Sequence, residues 1–173
     1  MNTLVIYAGP TTSHPELDAM LPKGTKVSYL DMATYKHMGK LQKMDIIIAF
    51  HSLQTVEAKE VPATVAKMIS DLNVKGELWI YVPALEWVAA QTAEPDPSPA
   101  VHTVLYGPPD FPHRCAFTLQ WLRGLLEASG LVIRRASHEG LELKNQDAVI
   151  KTSMNVIVGW KFEEPETAKD AIK

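Results

Sequence analysis

The sequence predicts an α/β fold in which a mostly parallel sheet is covered by helices and ends in an antiparallel strand pair. Three observations carry that prediction. The run from Asp45 to Trp87, DIIIAFHSLQTVEAKEVPATVAKMISDLNVKGELWIYVPALEW, reads as a buried strand, a polar break, a helix, a Lys75–Gly76 turn and a second buried strand ending at Pro83. That order makes a parallel strand–helix–strand unit. Strands and helices also alternate along most of the remaining chain, as a helix-covered parallel sheet requires. Finally, the last two strands have no helix between them, so they are expected to pair antiparallel at one edge.

Each element has its own warrant. Leu4–Ala8 is a short apolar run that stops at Gly9–Pro10, a strand followed by a turn. Ser13 suits a helix cap and Pro15 the first helical turn, for a helix running to about Leu21. Lys26–Leu30 is the second strand and ends at Asp31; a short helix is expected within Met32–Met44. Asp45–Phe50 is the most apolar strand and belongs at the sheet centre, covered on both faces. In the following helix Val61, Val65, Met68 or Ile69, and Leu72 form one stripe, with Pro62 in the first turn. Leu78–Val82 is the next strand and Leu85–Gln91 a helical turn. Two proline-rich loops follow, QTAEPDPSPA at Gln91–Ala100 and YGPPDFPHR at Tyr106–Arg114. Thr118 caps a leucine-rich helix that stops at Ser129–Gly130, and Leu131–Arg135 and Met154–Phe162 are the final strands.

Composition bounds the function. A chain of 173 residues, 46% apolar and 21% charged, is expected to form one soluble domain over 1–162 with a polar tail over 163–173. The net charge of −3 argues against strong non-specific nucleic-acid binding. Cys115 is the single cysteine, so no internal disulfide forms and a reducing, cytoplasmic setting is expected. No apolar run approaches the ~20 residues of a membrane helix. The six histidines show no ligand spacing with cysteines or carboxylates, so no metal site is expected.

The second half resembles the class I S-adenosylmethionine-dependent methyltransferases, a Rossmann-like family with a three-layer fold. Family members run from an apolar strand through a histidine-containing turn and a helix into a glycine turn, then a strand ending Val-Pro-Asp-Leu. Here that stretch is DIIIAFHSLQTV, a helix, and NVKGELWIYVPALEW. Members then carry Tyr-Gly, a histidine, Phe-Thr and a leucine-rich helix; here the stretch is VLYGPPDFPHRCAFTLQWLRGLLEASGL. The resemblance is good over roughly Asp45–Val132 and poor before it. It implies S-adenosylmethionine as cofactor, bound across the carboxyl ends of the first, second and central strands, and methyl transfer to an acceptor that the sequence does not identify.

The departures fall where the cofactor is held. The family's Gly-x-Gly turn is reduced to Gly9 in YAGPTTSHP, and Pro10 works against a close backbone cradle. Asp31 stands where the family's acidic residue binds the ribose hydroxyls; the bland reading is a cap for the next turn. Only thirteen residues separate Asp31 from Asp45, so the family's third strand is expected to be reduced or missing. The resemblance therefore implies Gly9, Asp31, Phe50 and His51 as cofactor contacts, the last two being alternatively packing residues at the end of the central strand. Tyr106, Phe111 and His113, on the second proline-rich loop, are the expected acceptor contacts, or else pack that loop. Such degeneracy leaves a second reading open: a catalytically inactive scaffold acting through protein–protein contacts. An exposed strand edge left by the missing third strand would suit pairing with a second copy of the chain or another protein.

Overall fold

The computed structural model describes residues 1–9, 19–94, 100–145 and 148–162. Its strands are β1 (Asn2–Tyr7), β2 (Lys26–Asp31), β3 (Met44–Phe50), β4 (Leu72–Pro83), β5 (Leu131–Asn145) and β6 (Ala148–Lys161). They form one sheet in the order β2-β1-β3-β4-β6-β5, parallel from β2 to β4 and antiparallel from β4 through β6 to β5. Strand β2 is an edge, and among the described residues no strand lies outside it. The short interval between Asp31 and Asp45 therefore holds a helix alone. This is α1 (Met32–His37), whose first turn Asp31 caps by accepting a 2.8 Å hydrogen bond from the Thr34 N–H.

The helix α2 (Val61–Asp71) buries Val61, Thr64, Val65 and Met68 and delivers the chain into β4. The strand begins earlier than the Leu78 the sequence suggested. Between Leu72 and Glu77 its pairing with β3 skips, and Lys75 takes a φ of +64° there, so the expected turn is an irregularity inside a longer strand. Helix α3 (Leu85–Thr92) follows, and α4 (Ala100–Tyr106) occupies the stretch between the two expected loops, to which the sequence assigned no element; Val101 and Val104 pack on Val88 of α3 and hold it. Helix α5 (Leu119–Ala128) is capped by Thr118, which accepts from the Trp121 N–H at 3.1 Å. The last two strands pair antiparallel as expected and are far longer than the predicted segments. The predicted Ser13–Leu21 helix falls largely outside the described residues, as do Pro10 and the 163–173 tail.

The main core lies on one face of the sheet. Ile6, Ile47, Ala49, Leu78, Ile80 and Val82 from the strands meet Val61, Val65 and Met68 of α2 and Leu122 and Leu126 of α5. The other face carries Val5, Ile46, Ile48 and an aromatic band across four strands. Tyr29 stacks on Tyr7, Tyr7 meets Phe50 edge-on at 6.0 Å, and Phe50 lies 5.4 Å from Tyr81. Among the described residues no helix is long and apolar enough to cross a membrane.

Candidate functional site

The carboxyl ends of the parallel strands all point to one rim of the sheet, where ligands bind in open α/β folds. At that rim, between the ends of β1 and β2, lies a crevice of about 370 Å³. One wall is Ala8 and Gly9 after β1, together with Asp31, Met32 and Ala33 at the start of α1. The opposite wall is Thr55 and the loop residues Asp110, Phe111, Pro112 and Arg114.

Asp31 is half-buried at the mouth. Hydrogen bonds from Thr34, first its side chain and then its backbone N–H, hold the Asp31 carboxyl below the usual aspartate range. The group is thus ionised at neutral pH. A carboxylate accepts about four hydrogen bonds, so capping α1 leaves it acceptor capacity toward the crevice. Both readings of Asp31, cap and ligand acceptor, are compatible in one side chain.

Gly9 has a φ of +102°, a conformation that L side chains rarely adopt. The space above its Cα is taken by the Phe111 ring. A Cβ added to Gly9 would sit 2.4 Å from Phe111 Cζ and 2.8 Å from both Cε atoms. The loop that carries the ring is tied down at its neck. Gly107, at φ +72°, lets the chain double back so that the His113 N–H reaches the Tyr106 carbonyl at 2.8 Å. Next along, the Arg114 N–H donates to the Gln54 carbonyl at 2.7 Å, and the Arg114 guanidinium lies 3.2 Å from Glu57.

Of the seven residues singled out in the sequence, Gly9, Asp31 and Phe111 meet at this crevice. The other four lie elsewhere. Phe50, level with Tyr7 and through it with Asp31, packs into the aromatic band and does not line the crevice. His51 turns the chain off β3 with a φ of +46° and donates its N–H to the Tyr81 carbonyl at 3.0 Å. Tyr106 is exposed and tilts against His102. His113 turns inward, its Nδ1 2.9 Å from the Val104 carbonyl, and burial lowers its pKa. Thr55, Asp110, Pro112 and Arg114 complete the crevice. Sequence periodicity could not have found Thr55 or Arg114, because tertiary contacts such as the Arg114–Gln54 backbone bond and the Arg114–Glu57 ion pair bring the two segments together.

Cys115 sits just behind this wall, its Sγ 3.2 Å from the Val56 carbonyl and 3.6 Å from that of Leu53. Burial pushes the thiol up to about 11. Only the thiolate reacts, so at pH 8 the folded protein should react with a disulfide reagent roughly 100-fold more slowly than a free cysteine of pKa about 8.5. A stopped assay in buffer and in urea checks this, with the urea-unfolded chain as the fast reference. Among the described residues no group of three or more His, Cys, Asp or Glu side chains could hold a metal ion.

No protein-family model and no curated protein matches the chain. Solved structures do. An S-adenosylmethionine-dependent methyltransferase from Methanosarcina mazei is similar over 94% of this chain and 93% of its own, at 14% identity and a TM-score of 0.56. The Burkholderia thailandensis 1,6-didemethyltoxoflavin-N1-methyltransferase, solved with 1,6-didemethyltoxoflavin and S-adenosylhomocysteine bound, is similar over 92% of this chain and 71% of its own, at 14% identity and a TM-score of 0.59. TehB from Haemophilus influenzae is similar over 85% of this chain, which spans only 44% of TehB, at 14% identity and a TM-score of 0.51. Identities this low speak to architecture, and the architecture agrees with the strand order, the antiparallel β4-β6-β5 part and the crevice at the strand ends: the chain has the class I methyltransferase fold.

Proposed function

We propose that the chain binds S-adenosylmethionine in the crevice between Gly9 and Asp31 and passes its methyl group to an acceptor that enters past the 107–114 loop. The observation that carries this reading is the ionised Asp31 carboxylate at the tip of β2, beside a glycine of positive φ at the tip of β1, both opening on one crevice. The Asp31 acceptor fits a ribose: the carboxylate keeps capacity to accept from a vicinal diol after capping α1. The glycine side fits only with the Phe111 ring withdrawn, since that ring now covers Gly9.

When bound, the cofactor supplies an electrophilic methyl, and the protein's share of the chemistry is alignment and exclusion of water. Asp31 holds the sugar. Met32 and Pro112 provide apolar walls. Asp110, exposed on the loop side, is the carboxylate placed to take a proton from an acceptor that must lose one.

The test is calorimetric titration with S-adenosylhomocysteine. Micromolar binding is expected. Asp31→Ala should weaken it by about 10- to 100-fold, the effect of losing hydrogen bonds to a charged acceptor worth roughly 1.5–3 kcal/mol. Because the Asp31 carboxyl titrates below the usual aspartate range, affinity should stay flat from about pH 8 down to about pH 5. A second reading, an inactive scaffold, is favoured by one observation, the ring over Gly9. Absence of heat from both wild type and Phe111→Ala, with the fold intact, would select it.

A further inference from the structure

We propose that Phe111 is a built-in plug: its ring occupies the ligand's place over Gly9, and binding requires the side chain to rotate out while the loop neck stays closed. This inference rests on the reading of the crevice as a ligand site and adds how that site is regulated.

The contact is specific. All three atoms at the far edge of the ring press on the one face of the β1 turn that lacks a side chain. Any other residue at position 9 would exclude the ring, so the glycine that the fold keeps for a ligand here serves an internal occupant. The ring also lines the crevice, so it stands between that space and the backbone of β1.

The manner of release follows from the anchors. The neck is fixed by the His113 N–H to Tyr106 carbonyl bond, by the His113 Nδ1 contact with the Val104 carbonyl and by the Arg114 N–H to Gln54 carbonyl bond. At Gly107 the packing leaves no space even for a Cβ, which would lie 2.6 Å from the Phe111 carbonyl oxygen. At the tip, the Phe111 backbone is held by one turn bond, from its N–H to the Pro108 carbonyl at 3.0 Å. Prolines at 108, 109 and 112 further limit backbone rearrangement. Rotation about the Phe111 side-chain torsions is the movement that needs none of these bonds to break.

A plug of this kind reduces apparent affinity by the fraction of molecules in which the site is open. If the ring covers Gly9 in at least about nine molecules in ten, removing it tightens binding by about tenfold or more. The experiment titrates S-adenosylhomocysteine into the full chain as wild type, Phe111→Ala, Phe111→Leu and Asp31→Ala, with thermal melts as fold controls. An NMR signal reads the plug directly: the Gly9 Hα resonances should be ring-shifted in the ligand-free wild type and return to ordinary positions in Phe111→Leu and in the wild-type complex. Tighter binding by Phe111→Ala or Phe111→Leu, with the ring shift lost on saturation, supports the plug. Equal or weaker binding by the folded variants while wild type binds makes the ring a wall and overturns the plug, leaving the ligand site standing. Failure of every variant to bind overturns both.

Discussion

Phe117→Ala should destabilise the protein by about 3–5 kcal/mol, the usual cost of emptying a fully buried phenylalanine site. The residue is 1% exposed and packs within the main core, with its ring 5.5 Å from that of Trp121. Its backbone joins three parts of the fold. Its carbonyl accepts from the Asn155 Nδ2 at 2.9 Å and from the Leu85 N–H at 3.1 Å, and it forms a parallel bridge with Ala84. Asn155 is itself fully buried on β6, so a shift of the Phe117 backbone would strand a buried amide as well as open a cavity. With whole-domain stabilities near 5–15 kcal/mol, such a loss takes a large share of the total. Urea denaturation is the measurement: the midpoint should fall sharply with little change in slope. A drop below about 1 kcal/mol would mean that α5 and the 113–117 segment collapse into the vacated space without cost.

The parallel half of this fold is legible in the sequence because its signals are strong and local. Asp45–Phe50 supplies an uninterrupted apolar run for a strand covered on both faces, and Val61, Val65 and Met68 supply the stripe that packs on it. The missing outer strand is legible from arithmetic alone, since thirteen residues between Asp31 and Asp45 leave no room for it beside a helix. The antiparallel end is less legible. Ser137, His138, Glu139 and Gly140 continue β5 in an edge strand with exposed positions, where burial no longer imposes an apolar pattern. Helix α4 was hidden by the prolines around it, although Val101 and Val104 already have the i, i+3 spacing that docks it on Val88.

The site divides along the same physical line. Gly9 and Asp31, which the resemblance to methyltransferase motifs singled out at strand ends, do lie at the rim. Phe50 also ends a strand, but its ring is taken up between those of Tyr7 and Tyr81 and so packs the sheet instead of lining the crevice. His113 was expected either to contact the acceptor or to pack its own loop, and the tight turn over Gly107 turns its ring toward the Val104 carbonyl. The Phe111 contact with Gly9 was beyond reach, because it depends on where a loop a hundred residues away comes to rest.

Gly9→Ala should destabilise the protein by about 1–3 kcal/mol through backbone strain alone, with the steric effect of the ring added to it. The two causes separate in a double-mutant cycle with Phe111→Ala. In the wild-type background the new methyl lands 2.4 Å from Phe111 Cζ, too close to coexist, so the ring must leave and its contacts are lost. In the Phe111→Ala background that collision is gone, and only the cost of placing an alanine at a φ of +102° remains. The cycle should therefore show a coupling of roughly 0.5–3 kcal/mol, the range for residues in direct contact. Additive melting shifts would mean that the ring does not rest on Gly9 in solution, and the plug would have no seat. A large coupling together with weak S-adenosylhomocysteine binding by Gly9→Ala would fix the order of events at the rim: the same bare patch of backbone serves the ring first and the ligand second, so any side chain placed there is incompatible with both.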